Sequence, residues 1–131
     1  MNALQSLADQ LRAEDTPIAP HVVDPAEPSQ LGELAGGGEY ALVIEAVREG
    51  YLLHYEQPRL LANHDSDLAL LAGDYLYALG LNRLAALGDT RAVAILADLI
   101  STCAQLQAED ETDSIPSLWR DAAEDITAEG R

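Results

Sequence analysis

The chain has 131 residues, 48% of them hydrophobic and none phenylalanine, which leaves room for one hydrophobic core and not for two independent ones. Its formal charge is −16, from 23 carboxylates against seven arginines and no lysine, so general charge attraction to nucleic acid or to an anionic membrane is disfavoured. Alanine and leucine dominate, and that composition predicts an all-α protein.

Cys103 is the only cysteine and lies among apolar positions, the pattern of a small core residue and not of a disulfide partner. The stretch from Met1 to Asp15 lacks a basic segment followed by an apolar one, so it does not read as a secretion signal. The longest apolar run, Leu68 to Leu81, is interrupted by Asp74 and falls short of the ~20 residues that a membrane span needs. Together these features predict a soluble, cytoplasmic protein. The acidity has two readings: a solubilising or salt-adapted coat, favoured by the spread of the acids, or a surface that recruits metal ions or a basic partner.

Leu4, Leu7, Ala8 and Leu11 recur at helical spacing, predicting a short amphipathic helix over residues 3–13 that docks on the core. Pro17, Pro20, Pro25 and Pro28 follow in close succession and exclude a regular helix or an inner strand, so 16–30 reads as an extended linker. His21 within it has no nearby partner for a metal or proton-transfer site. Leu31 to Leu34 can form one helical turn, ended by Gly36-Gly37-Gly38. A triple glycine ahead of a helix could cradle phosphate, but no strand precedes it and the GxxxxGK[ST] pattern is absent, so a hinge is the simpler reading. The chain thus divides into an N-terminal helix with a Pro/Gly-rich arm, residues 1–38, and a helical core, residues 39–131.

From Glu39 to Tyr55, the residues Ala41, Ile44, Val47, Tyr51 and His54 mark the apolar side of a helix, with Glu45, Arg48, Glu49 and Glu56 placed mostly opposite. Gln57-Pro58 ends it. A short connection leads to His64, Asp65 and Asp67, a compact group of competent metal ligands. Helix capping by Asp67, with Asp65 favoured by the helix N-terminus, explains both acids without a metal.

The stretch Asp67 to Gln107 carries most of what is specific. Its first half is apolar on nearly every side, interrupted by Asp74, Asn82 and Arg83, so water can cover little of it and another surface must. Gly73 and Gly80 share a face on which a second backbone can come close. Gly88 supplies a left-handed stop and Asp89 or Thr90 a new cap. An antiparallel helix follows, with Arg91, Ala94, Asp98, Ser101 and Gln105 outward and Val93, Ile95, Leu96, Leu99, Ile100 and Leu106 inward. After an acidic turn at 108–113, Ser114 or Ser117 can cap a last helix that has Pro116 near its start and Trp119 as its anchor.

Leu70-Leu71-Ala72-Gly73-Asp74-Tyr75-Leu76, then Leu84-Ala85-Ala86-Leu87-Gly88-Asp89 and Ile95-Leu96-Ala97-Asp98-Leu99-Ile100, resemble consecutive helices of the all-trans polyprenyl (isoprenyl) diphosphate synthases. Upstream, Tyr51-Leu52-Leu53-His54-Tyr55-Glu56 is similar to the helix end that carries the first aspartate-rich motif of that family. The resemblance spans Tyr40 to Glu109. It implies a small helical bundle like the central helices of the isoprenoid synthase fold, and dimerisation through helices of this type. The family holds magnesium with two DDxxD motifs. At the position of the first, this chain reads Tyr55-Glu56-Gln57-Pro58-Arg59; the basic Arg-Arg-Gly-Lys segment is missing, and no second motif follows. Glu56 and Arg59 alone cannot rebuild a site that needs several ions to neutralise a diphosphate.

Two functions follow as expectations. The first is a non-catalytic assembly protein without a cofactor, either a homodimer or the accessory subunit of a prenyl diphosphate synthase or another complex. Its interface residues would be Leu71, Tyr75, Ala78, Leu79, Ile95 and Leu99. The alternative is a small apolar-ligand (isoprenoid) binding protein, or a residual magnesium-dependent activity. Tyr51, His54, Glu56, Asp74 and Tyr75 would then bind the ligand, and His64, Asp65 and Asp67 are the metal candidates. Whether His54, Glu56, His64, Asp65 and Asp67 converge in space bears on the choice.

Overall fold

A computed structural model describes residues 2–128 of the chain. It is all-helical, with α1 at Ala3–Ala13, a 3-10 turn at Ala19–His21, α2 at Leu31–Leu34, α3 at Gly38–Tyr55, α4 at Ser66–Ala86, α5 at Thr90–Ala108 and α6 at Ile115–Ala128. No strand forms among the described residues, only an isolated antiparallel bridge between Val22 and Leu61. None of the described helices is long and apolar enough to cross a membrane.

The helix covered on all sides is α3, not the apolar helix that the sequence singles out. Val43, Ile44, Val47, Tyr51 and Leu52 join a cluster with α5 and α6, while Ala46 and Leu53 join a second cluster with α1, α4 and the loop at Leu60 and Leu61. Leu4, Leu7, Ala8, Leu11 and Ile18 complete that second cluster, so the N-terminal helix and the start of the arm share one packing unit with the core. The arm is then pinned to the loop: Val23 N–H donates to the Leu60 carbonyl at 2.8 Å and Ala62 N–H to the His21 carbonyl at 3.0 Å. His21 itself lies with Nδ1 3.1 Å from the Ala62 carbonyl oxygen, which gives this histidine a structural partner.

Glu45 and Glu49, expected on the polar side of α3, are instead 1% and 0% exposed. Burial of two carboxylates requires paired donors, and Arg59, just past Pro58, supplies them. Its Nε reaches Glu49 at 2.9 Å and its Nη1 reaches Glu45 at 3.0 Å. Glu49 also accepts from the backbone N–H groups of Arg59 (2.7 Å) and Leu60 (2.9 Å), and Glu45 accepts from Gly32 N–H (3.3 Å). One ionic knot therefore ties α2, α3 and the 56–65 loop together.

α3 and α4 approach closely through glycines. A Cβ on Gly50 would lie 2.9 Å from the Gly73 carbonyl oxygen, and one on Gly80 would lie 2.5 Å from Val47 Cγ2. Farther along, Arg83 donates to Glu39 at 2.8 and 3.0 Å and to Gln10 at 2.8 Å, fastening α4 to both α3 and α1. α4 ends as the sequence predicts: Gly88 has φ of 75°, with Gly88 N–H bonded to the Ala85 carbonyl and Asp89 N–H to that of Leu84, the paired bonds of a Schellman stop. Asp89 then caps α5 through Ala92 N–H at 3.0 Å. Hydrogen bonds from Tyr40 and from Ala92 N–H hold the Asp89 carboxyl below its ordinary range. The start of α4 corrects one expectation: the cap is Asp65, which accepts from Leu68 N–H at 2.8 Å, and Asp67 sits in the first turn.

Gly80→Ala should destabilise the fold. Overpacking costs about 1–3 kcal/mol and outweighs a helix-propensity gain of about 1 kcal/mol, so a urea titration should show a lower midpoint at unchanged slope. Glu49→Ala should cost more, about 3–5 kcal/mol, because it leaves Arg59 Nε and two backbone N–H groups without their acceptor, while Glu45 keeps the charge pair with Arg59. A midpoint equal to that of the parent would mean that the ionic knot does not hold the loop.

Candidate functional site

At the end of α3, His54 turns toward α4. Its Nε2 lies 3.1 Å from Asp74 Oδ1, with 16% of the imidazole side chain and 77% of the carboxylate side chain exposed. The ring lies over Gly73, where a Cβ would come within 2.7 Å of Nε2, and it packs on Tyr77 with centroids 5.2 Å apart. The glycine at 73 is thus the seat of a histidine, a tie that spacing alone does not reveal. Tyr77 points its hydroxyl inward without a hydrogen-bond partner, and burial pushes its pKa far up.

The other residues expected to bind a ligand do not join this pair, although Tyr51 and Glu56 interact with each other. Tyr51 is fully buried, and its hydroxyl accepts from Gln107 Nε2 at 2.7 Å. Glu56 is exposed. Tyr75 faces the opposite side of α4 and donates to Glu14 Oε1 at 2.7 Å, joining α4 to the end of α1. Of the five, His54 and Asp74 form a direct pair, while Tyr51 and Tyr75 serve different helix contacts. Cys103 is buried, and burial pushes its thiol pKa up, which suits a core residue and not a nucleophile.

His64, Asp65 and Asp67 do not come together as a chelating set, nor do they join His54 and Glu56. Among the described residues no group of three or more His, Cys, Asp or Glu side chains is placed to hold a metal ion. The three glycines at 36–38 all have positive φ, 87°, 74° and 62°, and reverse the chain between α2 and α3. Gly37 and Gly38 border a cavity of about 590 Å³ that also meets Glu33, Glu39 and Glu45. That carboxylate lining disfavours a phosphate ligand.

The open surface lies on α4. Leu70 and Leu71 are 54% and 55% exposed, and Asp74, Ala78, Asn82 and Ala85 continue the same exposed face at helical spacing. Of the expected interface residues, Leu71 and Ala78 lie on this face, while Tyr75 and Leu79 pack against the cluster shared with α1. Ile95 and Leu99 pack on the core formed with α3 and α6, where Leu99 is buried and Ile95 partly buried. Arg48 is a feature that pattern reading missed. It lies over Trp119 and Tyr51, 5.1 and 5.3 Å from their ring centroids, a geometry suited to cation–π attraction. Its signal in the sequence is slight, a lone arginine on a helix of apolar and acidic residues.

No family model, curated protein or solved structure matches this chain.

The tyrosines carry a pH prediction. Burial pushes Tyr51 up to about 12 and raises Tyr77, and burial followed by the hydrogen bond to Glu14 raises Tyr75. A folded pKa above the unfolded value of about 10 gives stability that is fully present below that pH and lost as pH rises through the folded pKa. Urea stability should therefore fall above pH ~10, and ultraviolet titration of the folded chain should show a class of tyrosines ionising late. A single ordinary titration step would contradict this.

Proposed function

We propose that this chain is a non-catalytic helical assembly protein, acting as a homodimer or as the accessory subunit of a prenyl diphosphate synthase, with the open face of α4 covered by a helix of a second chain. The observation that carries this is the pair Leu70 and Leu71, adjacent and more than half exposed on one helix, with Ala78 and Ala85 extending the stripe. Single exposed leucines are ordinary, whereas two adjacent ones on a face that goes on through small alanines, with Asp74 and Asn82 as its polar members, suit the seat of a second helix. The resemblance of 70–76, 84–89 and 95–100 to polyprenyl diphosphate synthases, which pair through such helices, supports the same reading. So does the use made of Arg59: it is drawn inward to Glu45 and Glu49, while Glu56 stands exposed, leaving little at the position of the first aspartate-rich motif to hold a magnesium diphosphate.

Two copies would each bring a formal charge of −16, so self-association works against a general repulsion that salt screens. Light scattering at micromolar concentration should give a dimer mass, with the dimer fraction rising as salt is added. Leu71→Asp should yield a folded monomer, since the position is half exposed and lies outside the core. A clean monomer at low and high salt rules out the homodimer, and co-expression with a DDxxD-bearing synthase then tests the accessory role. Failure to co-purify as well would sink the assembly proposal.

A further inference from the structure

In a chain with 23 carboxylates, an arginine without one is the exception. Among the described residues, Arg12 pairs with Asp9 and Asp24, Arg59 with Glu45 and Glu49, and Arg83 with Glu39. Arg91 donates to the carbonyls of Asp125 and Ile126. The two with no such partner, Arg48 and Arg120, line the same small cleft, together with Arg59, Ser29, Leu52 and Trp119. Its volume is about 260 Å³, small for a ligand site and matched to a molecule of few atoms. Arg48 Nη1 is fully buried and has no acceptor. A buried charged donor without an acceptor carries a large desolvation cost that an oxyanion relieves through charge-assisted hydrogen bonds.

We propose that this cleft between α2, α3 and α6 binds a small organic monocarboxylate, its carboxylate held by Arg48 and Arg120 and its apolar part laid against Leu52 and Trp119. The balance of charge selects the class. Glu45 and Glu49 together outweigh Arg59, and Glu56 acts electrostatically on Arg48. The surroundings therefore offset the two open arginines and disfavour a polyanion, while the directional donors remain free for a single carboxylate. Leu52 and the part of Trp119 that lines the cleft, its ring face being taken by Arg48, give an apolar wall that an inorganic anion would not use. This proposal is independent of the assembly role and stands or falls separately.

Trp119 is the only tryptophan, so its fluorescence reports directly on the cleft. Titration of the full chain with hexanoate should give a saturable change in emission. Hexanamide, the same shape without charge, should give none, and hexyl phosphate should bind more weakly than hexanoate. Arg120 is exposed and its replacement leaves the core intact. Arg120→Gln should weaken hexanoate at least about tenfold, the loss of one charge-assisted contact, while Arg120→Lys should keep part of the affinity. Absence of a saturable response to hexanoate, an equal response to hexanamide, or unchanged affinity in Arg120→Gln would overturn the site. Tighter binding of hexyl phosphate would overturn its assignment to carboxylates.

Discussion

The structure depends on a conflict within α3. Its position between two apolar clusters demands burial on every side, yet its sequence places Glu45 and Glu49 one turn apart. Two carboxylates in a low-dielectric interior are tolerable only if their oxygens are matched by donors of fixed geometry. Arg59 and the backbone N–H groups of Arg59, Leu60 and Gly32 provide them. Because those donors come from α2 and from the loop after α3, satisfying the acids also sets where both segments run. The loop in turn offers Leu60 and Ala62 to the arm, so the path of residues 21–23 is set at second hand by the same two glutamates.

Much of the secondary structure is legible from residue order alone. Helical spacing places α1 and α5, prolines account for the irregular arm, and Gly88-Asp89 marks the turn between α4 and α5 within a residue or two, because each signal acts over a few positions. What is not legible is the inversion of roles between α3 and α4. By composition α4 is the more apolar helix and should be the more buried. The acids of α3 instead go inside, since Arg59 reaches them from ten and fourteen residues away, a pairing that no local periodicity encodes. The same limit applies to the candidate sites. His54 and Asp74 come together across two helices through the space left by Gly73, whereas Tyr51 and Tyr75, equally plausible in sequence, face different neighbours.

Scarcity of positive charge makes the placement of each arginine informative. Arg83 clamps helices together, Arg91 meets the carbonyls of α6, and Arg59 neutralises the interior. Arg48 stacks on aromatic rings without an anionic hydrogen-bond partner. On a surface otherwise dominated by carboxylates, the cleft beside Trp119 is thus chemically unlike its surroundings, and it lies at α3 and α6 and not on the apolar stripe of α4. The fold keeps its open arginines and its exposed leucines on different helices.

The glycines between α3 and α4 have a further consequence. With the Gly73 carbonyl and the Tyr77 ring set against Gly50, the His54 ring over Gly73 and the side chain of Val47 set into Gly80, little slack is left between the two helices. Rotation or sliding of α4 would drive these rings, the Val47 methyl and the facing backbone into one another, so Leu70, Leu71 and Ala78 are displayed at a fixed angle to the core. Association usually sacrifices conformational freedom at the contact surface. A face already immobilised from behind has little left to lose, so a helix packed on it, as proposed, would meet a preorganised template.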